Sequence, residues 1–464
     1  MHLSAFVAAF RTPDLRKKLL FTLAMLAVFR LGSVVPTPGV DYSAIQRCID
    51  QTSDNSVYAV INLFSGGALL QLSVFALGIM PYITASIILQ LLTVVIPRLE
   101  ALKKEGQSGQ AKITQYTRYL TIGLAILQST AILSLARTPG QLFSGCNEEL
   151  IPNQTPLLIV VMVIVMTAGT AVIMWLGELI TERGVGNGMS LLIFTSIIAT
   201  IPAQFINVFV SRGTFSFALT LLVSLVILAL VVFVEQGQRR IPVQYAKRMV
   251  GRRMYGGTST YIPLKVNMAG VIPVIFASSL LFLPTLLVQL TGSQAEWAQW
   301  IATNFSTGTT TWYLLVFFTL TVFFTYFYVS ITFNPVDVAD NMKKYGGFIP
   351  GIRAGKPTAE YLSYVLNRLT FPGSIYLGLI AVMPVFAFNL IGIGDQFVFG
   401  GISLLIVVGV GLDTVKQIES QLPGGHTVSR SVFPTDRSVV DAVGSHTSLA
   451  DALALLSACA LSEA

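Results

Sequence analysis

Residues 156–177 read PLLIVVMVIVMTAGTAVIMWLG, a run without a single charge. At about 1.5 Å of rise per residue, such a run crosses the roughly 30 Å apolar core of a bilayer as a helix. It is one of ten. Apolar segments occupy 19–36, 72–96, 117–136, 156–181, 189–210, 215–235, 268–290, 311–333, 372–393 and 397–415 of the 464-residue chain. Composition agrees: 53% of residues are hydrophobic, 11% are charged, and the mean hydropathy is +0.72. A soluble domain carries about a quarter charged residues and could not hide this much apolar surface. A single soluble enzyme domain, a disordered chain and a coiled coil are thereby excluded. The fold class is all-α, a polytopic membrane protein with ten transmembrane helices. A shorter stretch before the second span, broken by Ser65-Gly66-Gly67, is too short to cross and reads as a re-entrant piece.

The first apolar run follows Arg16, Lys17 and Lys18 and ends in Val34-Val35-Pro36 without a small-x-small cleavage site. It reads as a first span, not a removed leader. Lys and Arg then orient the chain. With residues 1–18 in the cytoplasm, nearly every basic residue falls on the cytoplasmic side, and only Arg47, Arg137 and Arg212 fall outside. Ten crossings return the tail, 421–464, to the cytoplasm. Two cytoplasmic loops, 236–266 and 334–371, are long and basic. Topogenic charge touching anionic lipid accounts for them, and so does a docking platform for an acidic or RNA partner. Their length favours the platform.

Chemistry is scarce. No HExxH, GxSxG or Walker A pattern occurs, and no pair of acidic residues lies inside a span. None of the three histidines lies in an apolar segment, and the three cysteines form no CxxC. Neither a metal nor a cofactor is expected. Cys48 and Cys146 both fall in outer loops, where a disulfide can persist. Gly184-Val185-Gly186-Asn187-Gly188 reads as a sharp turn between spans. Arg30 alone is clearly charged within a span, whereas a coupled transporter usually keeps several ionisable groups there. Five spans before residue 212 and five after it allow an inverted repeat, so a secondary transporter remains the alternative. Ile79 and Ile83 flank Pro81 on one helical face, and Met189 and Ile193 repeat that spacing. Spacing alone makes these ordinary packing residues.

Longer motifs carry a resemblance. They are Asn62-Leu63-Phe64-Ser65-Gly66-Gly67-Ala68, Phe75 to Ile83, Lys103-Lys104-Glu105-Gly106, Trp175-Leu176-Gly177-Glu178, Tyr245-Ala246-Lys247-Arg248, Pro263 to Pro273, Asp340 to Lys344, and Pro350-Gly351-Ile352-Arg353. In order and spacing they resemble the SecY/Sec61-alpha family, the central subunits of the Sec protein-translocation channel, over residues 15–420. After Leu422 the tail departs from the family pattern.

The resemblance implies a passive channel in the bacterial cytoplasmic membrane, not an enzyme. Its halves, 19–211 and 212–420, would hinge near Arg212. Unfolded secretory and membrane polypeptides would cross through an aliphatic waist of Ile79, Ile83, Met189, Ile193, Ile275 and Ile406. Such a ring dewets a narrow pore and blocks ions. Residues 58–72, with Asn62, Phe64, Ser65, Gly66 and Gly67, would form a plug. Spans two and seven would part as a lateral gate to membrane lipid, with Thr84, Gln128, Ser278, Ser279 and Leu283 along the seam. Arg239, Arg240, Lys247, Arg248, Arg252 and Arg253 in one loop, and Lys343, Lys344 and Arg353 in the other, would dock the SecA motor ATPase or the ribosome, through ribosomal RNA and protein at its exit site. SecE and SecG are the implied companion subunits.

Overall fold

Proline, glycine and the length of the apolar runs set where the helices begin and stop. The computed structural model describes residues 12–51, 65–69, 71–137, 150–152, 154–245, 248–250, 253–255, 259–291, 295–305, 310–390 and 401–421. The chain divides into two units, Lys18–Thr414 and a smaller one of Met1–Lys17 with Val415–Ala464. The larger unit carries the site.

In chain order the helices are α1 (Pro13–Val34), α2 (Tyr42–Gln51), α3 (Met80–Val95), α4 (Pro97–Lys104), α5 (Gln107–Ala136), α6 (Pro156–Arg183) and α7 (Gly188–Glu235). After four strands come α8 (Ile272–Thr291), α9 (Glu296–Phe305), α10 (Thr311–Thr332), α11 (Pro335–Lys344), α12 (Lys356–Leu390) and α13 (Gly401–Gln421). A helix coincides with each of the ten apolar segments. Among the described residues, Pro156–Arg183, Gly188–Val210, Arg212–Glu235, Thr311–Lys344 and Lys356–Phe388 are long and apolar enough to cross a membrane. The pair α3 and α4, bent by 101°, makes a sixth if taken as one span. The bend falls at Pro97, whose ring forces Ile96 into an extended conformation.

Three boundaries differ from the sequence reading. The second span was expected from residue 72, yet α3 starts at Met80. Pro81 opens that helix, and Leu72 and Gly78 take positive φ ahead of it. Residues 71–79 instead tie to the end of α1. Pro36 and Ser73 form an isolated antiparallel bridge. Val74 N donates to Val35 O at 2.9 Å, and the Thr37 hydroxyl donates to Leu72 O at 2.6 Å. Next, the expected ninth span extends N-terminally as α12, which begins at Lys356 inside the expected loop. Finally, the fifth and sixth spans share α7, broken only at Gly213, with φ 82° and ψ 179°. That break lies beside Arg212, where a hinge was expected.

A Cβ on Gly213 would meet nothing within 4 Å, so only backbone strain resists substitution there. Gly213→Ala is expected to destabilise the chain by about 1–3 kcal/mol, the ordinary cost of holding a residue with a Cβ at positive φ and extended ψ, a region nearly exclusive to glycine. A lowered melting midpoint of the detergent-purified protein checks this, and an unaltered midpoint contradicts it.

The basic segment 236–266 is a β-ribbon. Strands β1 (Gln238–Tyr245) and β4 (Ser259–Lys265) pair antiparallel, with Ile241 opposite Ile262. A small hairpin, β2 (Arg248–Val250) with β3 (Arg253–Tyr255), lies between them in sequence. Alternation explains the ribbon: Ile241 and Val243 are buried while Arg239, Arg240 and Pro242 are exposed. The second basic loop supplies β5 (Gly347–Phe348), which pairs with β1 at Gln244 and Tyr245. A satellite core of Ile241, Val243, Leu264, Met342, Ile349, Leu362 and Val365 fuses both loops into one body.

Candidate functional site

Four elements deliver the six aliphatic side chains named from the sequence. Ile79 and Ile83 come from the start of α3, Met189 and Ile193 from the start of α7, Ile275 from α8 and Ile406 from α13. Asn187 fixes the start of α7, its side chain accepting from Met189 N at 3.1 Å. Thr181 and Thr22 hold the preceding turn, accepting from Gly188 N at 2.9 Å and Val185 N at 3.2 Å. Ile79, Ile193, Ile275 and Ile406 are buried in one hydrophobic cluster, and Ile83 and Met189 pack against it. The structure therefore places all six in or against one large core, without setting them apart from its many other members.

A cavity of about 430 Å³ opens on this cluster. Ile83, Met189, Ile193 and Ile275 form its apolar side, and Gln90, Thr114, Thr181, Glu182, Asn187 and Ser190 are among its polar wall. Arg118 on α5 and Glu178 on α6 stand at its edge in a bidentate pair, Nε to Oε1 at 3.0 Å and Nη2 to Oε2 at 2.7 Å. Gln115 Oε1 accepts from Arg118 Nη1 at 3.2 Å. The two parallel bonds fix α5 against α6 beside the cavity. Sequence reasoning missed this pair because its members lie far apart in the chain. The available signal was a charge of opposite sign near the ends of two consecutive apolar runs.

Of the residues expected in the plug, Ser65, Gly66 and Gly67 are described and Gly66 packs beside Ser196 on α7, while Asn62 and Phe64 fall outside the described residues. The Ser65 hydroxyl accepts from Leu69 N at 3.1 Å. Leu69 and Leu72 enter a second core with Ile132, Leu133, Met162 and Met166. Gly66 O accepts from Arg30 Nη1 at 2.5 Å.

Helix α8 packs against both α3 and α5. The hydroxyls expected to hold that seam turn inward. Thr84 donates to Met80 O, and Ser278 and Ser279 both donate to Ile275 O, at 2.8–2.9 Å. These bonds stay within their own helices, so parting the helices breaks none of them. Gln128 lies half-buried on α5, and Leu283 lies on α8 with its side chain outside the described atoms.

On the fused loops, Arg239 and Arg240 are exposed on β1, and Arg240 stacks 4.9 Å over Tyr261. Arg248 and Arg253 are on the small hairpin; Lys247 and Arg252 lie outside the described residues. Lys343 and Lys344 occupy the last turn of α11. Arg353 is exposed in the following turn, and the Thr358 hydroxyl donates to its carbonyl at 2.8 Å. Outside the membrane segments, Cys48 is disulfide-bonded, and Cys146 lies outside the described residues.

The architecture matches solved structures described as a protein-conducting channel, with TM-score 0.60 and 18% identity over 89% of this chain and 94% of that one. A second, described as showing that the SecY plug domain stabilises the closed channel and maintains a membrane seal, matches with TM-score 0.61 and 18% identity over the same shares. The class of fold is thus that of these polytopic helical channel structures, and an inverted-repeat transporter is not supported. The SecY family model matches residues 73–415. The protein translocase subunit SecY of Streptomyces coelicolor is 65% identical over 427 residues, covering 90% of this chain and 98% of that relative. That of Mycobacterium bovis is 60% identical over 432 residues, with the same shares. The chain belongs to the SecY family of protein translocase subunits.

Proposed function

We propose that the six-residue aliphatic cluster is the gasket through which an unfolded polypeptide slides. The observation that carries this is that Ile83, Met189, Ile193 and Ile275, from three separate elements, line one cavity, with Ile79 and Ile406 in the hydrophobic core behind it. Apolar side chains offer no directional bond, so they close on any sequence and release any sequence. Residues 58–72 plug the pore from outside. The ten helices cross the membrane in two inverted halves, 19–211 and 212–420, with both termini cytoplasmic. Spans two and seven part laterally. A run of Leu, Ile, Phe or Val gains roughly 0.3–0.6 kcal/mol per central residue on entering lipid, and the self-bonded hydroxyls of the seam oppose it little.

The chain catalyses nothing itself. SecA supplies ATP hydrolysis, SecE and SecG complete the complex, and the fused basic loops receive SecA or the ribosome. One solved relative, at 17% identity and TM-score 0.58, is described as Sec61 in a canine ribosome-channel complex. The pore path is tested by a photo-crosslinking residue at position 193 in the membrane complex, challenged with a stalled translocating polypeptide. An adduct with that chain is expected. Adducts with lipid alone, at equal expression, overturn the gasket.

A further inference from the structure

An arginine inside a span is costly and calls for a partner. Arg30 stands near the outer end of α1, half-buried, and its partner is not an acid. Nη1 donates to the carbonyl of Gly66 at 2.5 Å and reaches Ser33 Oγ at 3.4 Å. The Ser33 hydroxyl in turn donates to Arg30 O at 2.7 Å. Gly66 fits this place because it has no side chain and takes φ +69°. A Cβ there would lie 3.0 Å from Arg30 Nη1 and 3.2 Å from Ser196 Cα on α7. The turn at 65–67 therefore sits between α1 and α7, and a charged hydrogen bond helps fasten it.

The described parts of this region are held differently. Residues 72–74 are stapled to the end of α1 through backbone bonds and the Pro36–Ser73 bridge. The tip at Gly66 has the guanidinium. We propose that Arg30 is a latch: its hydrogen bond to the Gly66 carbonyl holds the closed position of the segment that seals the pore. The inference rests on reading residues 58–72 as the plug.

The chemistry suits a reversible latch. The acceptor is a neutral carbonyl, so release separates no ion pair, and water entering the vacated space replaces the lost bond. Neither partner titrates near neutral pH, so the latch is indifferent to pH. Arginine keeps its charge and its fork of donors whatever the surroundings. Lysine, with three donors on a flexible stem, restores part of the bond.

The test is the resting ion conductance of the full chain, purified with its companion subunits and reconstituted in planar bilayers. Arg30→Leu is expected to raise it at least about tenfold, the scale set by losing one hydrogen bond to a charged group. Arg30→Lys is expected to leak less than Arg30→Leu. Gly66→Val attacks the latch from the other side with Arg30 intact and is expected to leak as well. The two changes combined should leak no more than the stronger single one, because both remove one bond. Deleting residues 65–69 checks the plug reading. If the deletion leaks and Arg30→Leu and Gly66→Val both seal, the latch is wrong and the plug stands. If the deletion also seals, the plug reading falls and the latch with it. Leaks that multiply in the double variant, or an Arg30→Lys leak equal to that of Arg30→Leu, mean general loosening and overturn the latch.

Discussion

Replacing both Ile83 and Ile275 by glycine is expected to raise the resting ion conductance of the reconstituted complex by at least about tenfold. Both side chains border the cavity and both join the aliphatic cluster, one from α3 and one from α8. Each change removes four apolar carbons, roughly 3 kcal/mol of apolar burial per site at about 0.8 kcal/mol per carbon group. Ile83 is only part-buried, whereas Ile275 is a buried member of the core, so a lowered melting midpoint is expected alongside the leak. The double change removes bulk where two helix faces meet, and a wider, less greasy constriction admits a continuous column of water and ions. Single-channel recording in planar bilayers measures the effect. Conductance unchanged from the parent, in protein that still purifies as the assembled complex and melts cooperatively, would contradict the seal.

Ile83 and its neighbour Ile79 mark how much the sequence could tell. The ten apolar segments announced their helices, because nothing but a helix satisfies a backbone in lipid. They could not announce which faces look inward. In a run such as 156–177 every face is apolar, so a spacing of four at Ile79 and Ile83 fits packing as well as lining, and only the resemblance singled the pair out. The start of α3 was missed for a local reason. Residues 72–79 are as apolar as a span, but Pro81 and the positive φ of Gly78 favour turns, and a β-bridge to α1 satisfies the backbone instead. The β-ribbon was legible in principle. Ile241 and Val243 alternate with exposed neighbours, a period of two that the surrounding arginines mask when the stretch is read only as charge. The joining of two loops through β5, and the pairing of Arg118 with Glu178, rest on contacts between distant parts of the chain that no local pattern carries.

That joining sharpens the second large expectation, which concerns Arg353. Its side chain is exposed, yet its backbone is firmly set. Gly351 and Gly355 take φ of 85° and 102° on either side, the Thr358 hydroxyl caps its carbonyl, and Ile349 and Ile352 anchor the turn in the core shared with β1. A guanidinium on so fixed a base meets a partner's carboxylate or phosphate with little ordering left to lose. If the fused loops dock SecA as proposed, Arg353→Glu is expected to cut SecA-driven translocation into vesicles by at least about thirtyfold, matching the roughly 2 kcal/mol or more lost when one member of a charged interfacial pair is removed. Arg353→Lys, which keeps the charge and loses the fork, should fall between. The melting midpoint should not move, because the side chain supports no contact within the chain that the turn needs. Reversing Arg239 alone should have a smaller effect, since it shares its strand with Arg240 while Arg353 stands by itself in its turn. Translocation by Arg353→Glu within twofold of the parent would remove this residue from the docking surface and leave the ribbon's arginines to account for it.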